Sequence, residues 1–458
     1  MVGPPRDTQV QSDMCSIYDV PEMSQSRSGG SVVRIPPDLD VTLTPRVARL
    51  IDTTAFRRLT RISQLGLVSL VYPAANHTRQ EHSLGVYSVA IAYLNRLAVD
   101  DRFSAIVSPR DAELFLVAAL LHDLGHWPFC HPIEDISLEN VSTHEQFANR
   151  FVLDHEIADL LRDDWAIEAV EVVQLLEGTH LKQSSRILHS MLSGPIDVDK
   201  VDYLMRDSLH AGVPYGRNFD QGRLVSSLCL NQAGDELAIT EKGKTAAESM
   251  VFARYVMFSE VYWHHAVRAA TAMLQRAFFL LRESLDLDQL FQLPEQPFIE
   301  MLSQAGEEKP VHQLLQGIFG AQRQLYKRIA QYSCLENPGL YIELARRPYP
   351  WLVQCAEQLA HLLSDLLGEA VAEHEILIDA PPIALEVEFD LDVYLPRLQT
   401  YRRLGEVSPV LRTLAQEQFD DYVKRVRIFA HPRLLARFDS VANLSDLVAQ
   451  AAERADQG

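Results

Sequence analysis

Apolar residues recur at three- and four-residue spacing over most of this chain. From Pro45 the stretch VARLIDTTAFRRLTRISQLG keeps that period and stops at Gly66, a glycine suited to a helix C-cap. The same period marks residues 81–98, 111–126, 144–162 and 246–285. The last of these is longer than an ordinary globular helix, which predicts a bend or two helices. Residues 281–374 also read as helical, broken near the prolines at 294–297 and 348–350. Residues 32–44, VVRIPPDLDVTLT, instead predict a small hairpin around Pro-Pro-Asp. Residues 376–394 and 424–431 turn to β-type patterning. No internal repeat is evident. The expected architecture is a mainly α core over 32–285, with a small N-terminal hairpin. A smaller mixed α+β region follows over 286–458, and a flexible polar tail precedes the core over 1–31.

Composition narrows the class. The 458 residues are 47% hydrophobic and 23% charged, which excludes wholesale disorder. The richest apolar run, 114–121, has eight residues, far short of the ~18–20 of a membrane span. The N-terminus lacks the basic-then-apolar pattern of a signal peptide, and the five cysteines form no CxxC. A reduced, cytoplasmic protein is expected, with no membrane partner. Forty-two Lys and Arg against 62 Asp and Glu leave a net charge of −20, which argues against an extended nucleic-acid surface. A small anion site remains compatible: residues 52–82 hold Arg57, Arg58, Arg61 and Arg79 against Asp52 and Glu81, 4 − 2 = +2.

The histidines carry the first chemical signal. Six of sixteen (77, 82, 122, 126, 131, 144) fall between 77 and 144. LLHDLGHWPFCH (120–131) sets His122 and Asp123 side by side at the end of an apolar helix. Adjacent helical residues point about 100° apart, so both can face one ion only at a helix end, which Gly125 and Pro128 supply. Imidazole with carboxylate suits a first-row divalent cation. His82, at a helix start, and Asp199, in PIDVDKVDYLMRD, are candidates for the remaining ligands.

This set resembles the HD superfamily of metal-dependent phosphohydrolases, in its deoxynucleoside triphosphate triphosphohydrolase branch. The motifs are IDTTAFRRLTRISQLG (51–66), TRQEHSLGV (78–86), LLHDLGHWPFCH (120–131), THEQFA (143–148), GPIDVDKVDYLMRDSLHAGV (194–213) and ARYVMFSEVYWHHAVRA (253–269), with IDAPP (378–382) matching more weakly. The resemblance implies an HD-domain helical core with His82, His122, Asp123 and Asp199 as metal ligands. They would hold Mn, Fe, Ni, Zn or Co, and Mg could accompany the substrate phosphates. It implies His144 as the acid for the leaving 5′-oxygen, oriented by Glu134, and His126 and His131 facing the phosphates. Arg79, Lys200, Arg254 and His265 would neutralise the remaining phosphate charge. Tyr203 and Asp207 would hold the sugar 3′-hydroxyl, with Gln64 and Leu65 beside the sugar and Tyr262 flanking sugar or base. The implied reaction is hydrolysis of a deoxynucleoside triphosphate to deoxynucleoside and inorganic triphosphate. A homo-oligomer, dimer or tetramer, is implied too.

Some positions depart from the family pattern. RIPPDLD (34–40) stands where many relatives have Asp-Pro-x-His-Gly, and Phe258 replaces a histidine near the phosphates. Asp52 is kept, but the neighbouring positions are Arg57 and Thr60, so the set of residues that binds nucleotide activators in the animal enzymes is not intact. Two other readings stay open: an HD-type nucleotidase or phosphohydrolase of another phosphorylated metabolite, and a non-enzymatic nucleotide-binding scaffold.

Overall fold

A buried carboxylate fixes the start of the chain's fold. The computed structural model describes residues 16–28, 30–139, 141–381, 390–416, 423–439 and 441–457. Glu22, on helix α1 (Pro21–Ser28), is fully buried. It accepts from Arg46 Nε at 2.9 Å, Arg46 Nη2 at 2.6 Å and Thr44 Oγ1 at 2.7 Å. Arg46 also reaches Glu113 at 2.7 Å and lies 3.8 Å over the Trp165 ring. Ile17, Val20 and Met23 insert into the main apolar cluster. The tail expected over 1–31 is therefore bound to the core from residue 16. Its polar composition hid three apolar anchors at i, i+3 and i+6 and one buried ion pair.

Helix dominates, at 61% against 10% strand, as the periodicity predicts. Strands β1 (Val32–Ile35) and β2 (Leu39–Thr42) form the expected antiparallel hairpin. The stretch from Pro45 is not one helix: it breaks after Ile51, and Gly66, at φ +49°, begins a 3-10 turn instead of capping a helix. Helix α2 (Arg79–Leu97) packs on α3 (Pro109–Leu121). Ser108 and Asp111 form a capping box and Pro109 occupies the first turn, which fixes where α3 starts. Its run Leu114–Leu121 is buried throughout. A short helix α4 (Cys130–Glu134) and helix α5 (His144–Val152) follow, and α5 ends at Leu153, inside the expected 144–162 helix. Helix α6 (Val198–His210) returns against α2.

The long 246–285 segment divides as expected. Helix α7 (Lys244–Met257) runs into a π-helical turn (Phe258–Tyr262), and His264 then caps α8 (His265–Leu281). Around α8 a second apolar cluster gathers Trp127, Ile133, Phe147, Phe278, Phe291 and Phe298. A third lies between α9 (Tyr349–Leu367), α10 (Leu444–Ala455) and the last sheet.

Two sheets complete the structure. One has the order β3 (Leu228–Leu230), β4 (Leu237–Thr240), β7 (Asp392–Leu395), β8 (Thr400–Arg403), with β4 and β7 parallel. The other is antiparallel, with β9 (Val426–Ala430) between β5 (Lys327–Tyr332) and β6 (Ile376–Asp379). Strand β5 falls inside 281–374, read from sequence as helical, and its pairing with β9 overrides that local pattern. Residues 382–389 of the expected 376–394 strand region lie outside the described residues. No helix among the described residues is long and apolar enough to cross a membrane.

Removing one partner of a buried ion pair leaves the other charge uncompensated, at about 3–5 kcal/mol. Glu22→Ala is expected to cost about the low end of that range, since Arg46 keeps Glu113. Arg34→Ala, in an exposed pair with Asp40, leaves stability nearly unchanged. Thermal unfolding of the two variants checks this, and equal midpoints would contradict the anchoring role of Glu22.

Candidate active site

Three helix ends meet at one point. Thr78 caps α2, so His82 sits one turn in, and α3 ends at His122 and Asp123. Asp197 caps α6 and presents Asp199 in its first turn. The His82 and His122 Nε2 atoms are 3.3 Å apart. Asp199 Oδ1 lies 3.0 Å from the first and 3.8 Å from the second. Asp123 stands 3.3 Å from His122 Nε2 and 4.0 Å from His82 Nε2. Ligands bound at about 2.1 Å to one ion are at most about 4.2 Å apart. The separations among His82, His122 and Asp199 fall within that limit, and these three form one group able to hold an ion. Asp123 approaches through two different oxygens, Oδ1 toward His122 and Oδ2 toward His82.

The far ring nitrogens are already engaged. His122 Nδ1 meets the Ala119 carbonyl oxygen at 2.9 Å, and His82 Nδ1 meets Asp202 Oδ2 at 2.9 Å. Arg206 Nε and Nη2 donate to both Asp202 oxygens at 2.8 Å. Each imidazole is thereby turned with Nε2 toward the carboxylates, the arrangement that orients metal-ligating histidines. A Cβ at Gly85 would collide with Asp202 and Arg206, so α2 can approach this pair only with glycine there. Burial opposes charge on His82, yet Asp199, Asp202 and Asp123 push its pKa up to about 10. Burial opposes charge on Asp123 as well, but His126, Arg79 and His122 hold that carboxyl well below the usual range. So much negative charge around two imidazoles calls for a cation, and this two-histidine, two-aspartate set could hold a divalent one.

A second constellation sits beside it. Glu134 Oε1 lies 2.9 Å from His144 Nδ1 and accepts from the His144 backbone N–H at 2.6 Å. Burial works against both charges, but Glu134 raises His144, and His131 together with His144 holds Glu134 far below the usual carboxylate range. The His144 ring lies 3.9 Å from that of His126, centroid to centroid. His126 Nδ1 is 3.0 Å from Asp123 Oδ1, and burial first, then Arg79, hold it well below the ordinary imidazole value. His131 is mostly exposed, with Nδ1 at 3.6 Å from Glu134. Gly125 lets α5 come this close, since a Cβ there would strike the backbone of His144 and Ala148.

The remaining candidates divide. Asp207 is buried between His77 Nε2 at 3.0 Å and the Tyr262 hydroxyl, which donates at 2.5 Å. Tyr203 shares α6 with it, and burial pushes its hydroxyl to about 12. Gln64 and Leu65 are half-buried, and the Gln64 N–H donates to the His77 carbonyl at 2.9 Å. Gln64 Oε1 and Arg79 Nε are buried without a hydrogen-bond partner, and the Arg254 guanidinium lies 5.6 Å from the Phe258 ring centroid. Arg79 Nη1 donates to Asp123 Oδ2 at 2.9 Å and Lys200 Nζ to Asp197 at 2.5 Å. Two of the four residues expected to neutralise phosphate charge are thus engaged by carboxylates. His265 is not brought to the others. It is exposed and opens on a separate cavity of about 470 Å³, lined also by Arg323, Tyr326, Lys327 and Arg328. The break at Trp263 and His264 turns it away from Tyr262.

Sequence reasoning missed Asp202, Arg206, His77 and His210. The i, i+4 spacing of Asp202 and Arg206, with Asp202 three residues after Asp199, was the available signal. His210 meets Glu81 at 2.8 Å and stacks on His77 with centroids 4.3 Å apart. No comparable pattern in sequence reveals that stack.

Comparison with known proteins gives the family and the fold. A family model for the HD domain matches residues 79–206, and one for an HD associated region matches 219–445. An uncharacterised protein of Methanocaldococcus jannaschii is 31% identical over 84% of this chain and 76% of its own length. The deoxynucleoside triphosphate triphosphohydrolase SAMHD1 of Danio rerio is 26% identical over 65% of this chain, and a SAMHD1 homologue of Dictyostelium discoideum is 28% identical over 50%. The matched region spans 55% and 45% of those two proteins, about half their length. Among solved structures, a hypothetical protein of Aquifex aeolicus covers 90% of this chain at TM-score 0.68 and 27% identity, and 99% of that chain is covered. A phosphohydrolase of Bacteroides thetaiotaomicron shares the fold at TM-score 0.65 and 21% identity, over 88% of this chain and 100% of its own.

The Glu134–His144 contact makes a pH-dependent contribution to stability. The raised imidazole contributes fully below the ordinary 6.5 and loses its contribution as pH rises through the raised value. The depressed carboxyl contributes fully above the ordinary 4.5 and loses its contribution as pH falls toward the depressed value. Glu134→Gln is therefore expected to destabilise most between 4.5 and 6.5, and less near about pH 9. Urea unfolding of both proteins at about pH 5.5 and about pH 9 reads this, and an equal loss at both would contradict it.

Proposed function

The chain belongs to the HD superfamily of phosphohydrolases, and from that premise we propose that it hydrolyses deoxynucleoside triphosphates to deoxynucleoside and inorganic triphosphate. The observation that carries this reading is the convergence of His82, His122, Asp123 and Asp199 with the Glu134–His144 pair beside them. When bound by those four residues, a divalent cation supplies Lewis-acid chemistry, lowering the pKa of water and polarising a phosphoryl oxygen. The chain's own groups do the rest. His144 is held at Nδ1 by Glu134, and its Nε2, 3.3 Å from the half-exposed Glu145 carboxylate, is the nitrogen that would protonate the 5′-oxygen as its bond to the α-phosphorus breaks. Its raised pKa keeps that proton on the ring near neutrality. The His126 ring lies tilted against His144, and burial with Arg79 holds its pKa low. Asp207, fixed by His77 and Tyr262, keeps free lone pairs for a sugar hydroxyl, with Tyr203 on the same helix. The relatives named for deoxynucleoside triphosphate hydrolysis support the substrate class.

A second reading, a hydrolase of substrates with fewer phosphates, is favoured by one observation. Arg79 and Lys200, two of the cations expected for a triphosphate, are paired with Asp123 and Asp197. Chromatography of products from dGTP, GTP and dGMP with the metal-loaded protein separates the two. Inorganic triphosphate from dGTP is expected; pyrophosphate or monophosphate, or turnover of dGMP alone, would overturn the triphosphohydrolase reading.

Asp202 orients a metal ligand through His82 Nδ1. Asp202→Asn is expected to weaken divalent-metal affinity by about 10- to 100-fold. Chelator competition monitored by elemental analysis tests this, and unchanged affinity would remove Asp202 from the site.

A further inference from the structure

Helix α8 touches the turn that carries Glu134 at two polar points, seven residues apart on one helix face. Gln275 Nε2 donates to the Pro132 carbonyl oxygen at 2.8 Å, and Arg268 Nη1 stands 3.9 Å from Asp135 Oδ2. Both side chains are buried. Arg268 is fixed from the other side by Asp379 at the end of β6: Nη2 donates to Oδ1 at 2.6 Å, and Nε lies 3.2 and 3.1 Å from the two oxygens. Its guanidinium also lies 3.9 Å over the Trp263 ring. Asp379 belongs to the IDAPP motif and Arg268 to the HHAVRA end of another, and the hydrolytic reading uses neither. A cavity of about 90 Å³ lies beside the contact, lined by Asp135, Ser137, Arg268, Gln275 and Tyr349. The turn is therefore packed on its apolar side, through Ile133 and Ile136, and held on its other side by polar contacts.

We infer that Arg268 and Gln275 are positioning residues for the Glu134–His144 acid, and that Asp379 connects the C-terminal sheet to that acid by orienting Arg268. The inference rests on the hydrolytic reading of His144. The physical argument is one of tolerance. Glu134 ends α4 and Asp135 caps it, so a shift at Asp135 moves the Glu134 carboxylate relative to His144 Nδ1. Displacement of a catalytic group by about 1 Å can cost about 100-fold in rate. Asp379 lies on a strand far along the chain from the acid, yet the contact passes through only Arg268 and Asp135.

The test uses Asp379→Asn and Gln275→Leu in the full-length, manganese-loaded protein. A displaced acid slows departure of an alkoxide and leaves an activated leaving group, which needs no proton, nearly unaffected. Each variant is expected to lose about 10- to 100-fold on dGTP and to stay within about twofold of wild type on bis(4-nitrophenyl) phosphate. Equal loss on both substrates, or loss on neither, would overturn the inference. Hydrogen–deuterium exchange is measured in parallel, so failure of the substrate assignment remains distinguishable. Faster exchange is expected in peptides spanning 130–146 with unchanged exchange in α2, and this holds even if the wild-type protein turns over no dGTP. Unchanged exchange at 130–146 would overturn the inference by itself.

Discussion

The bidentate contact between Arg206 and Asp202 is the constraint on which the site depends. Four carboxylates, Asp123, Asp197, Asp202 and Asp207, are buried around the helix ends that meet at the site, and unpaired charges there would be prohibitive. Arg206 neutralises Asp202 and also reaches Glu81 at 2.6 Å. Asp202 is then free to hold His82, and His82 faces Asp199. Each pairing presumes the one before it. Arg206 further donates to the Pro36 carbonyl oxygen, which ties the N-terminal hairpin to the same group.

The rest of the polar interior follows the same rule of local neutralisation. Asp197 takes Lys200, Asp207 takes His77 and Tyr262, and Glu134 takes His144. An overall charge of −20 is thus distributed unevenly: the surface carries the surplus, while the interior pairs its acids one by one. Glycines at 85 and 125 are the steric counterpart, since each lets a charged or catalytic group approach a helix that any side chain would hold away.

Much of this was legible in the chain. The apolar period marked the helices because burying one face is what forms them, and His-Asp at a helix end pointed to a candidate ion site. What stayed hidden was contact across distance. Asp202 and Arg206 are readable as a helical pair, but His82 lies 120 residues away. Arg268 and Asp379 are 111 residues apart. Strand β5 exists because β9 pairs with it, and neither sequence stretch contains the other's register. His265 was assigned to the phosphates from the family resemblance alone. The cap at His264 starts a new helix and sends it elsewhere.

That junction has a consequence for how the protein can change over generations. The π turn at Phe258–Tyr262 and the cap at His264 set the rotational phase of α8 against α7. Tyr262 faces the Asp207 side while Arg268 and Gln275 face the Glu134 turn. A helix advances about 100° per residue, so losing or gaining one residue here would swing the whole downstream face past both partners at once. Substitutions within the segment are corrected locally, by one side chain giving way to another. Insertions and deletions are not, which makes this short stretch a frame for reading everything that follows it.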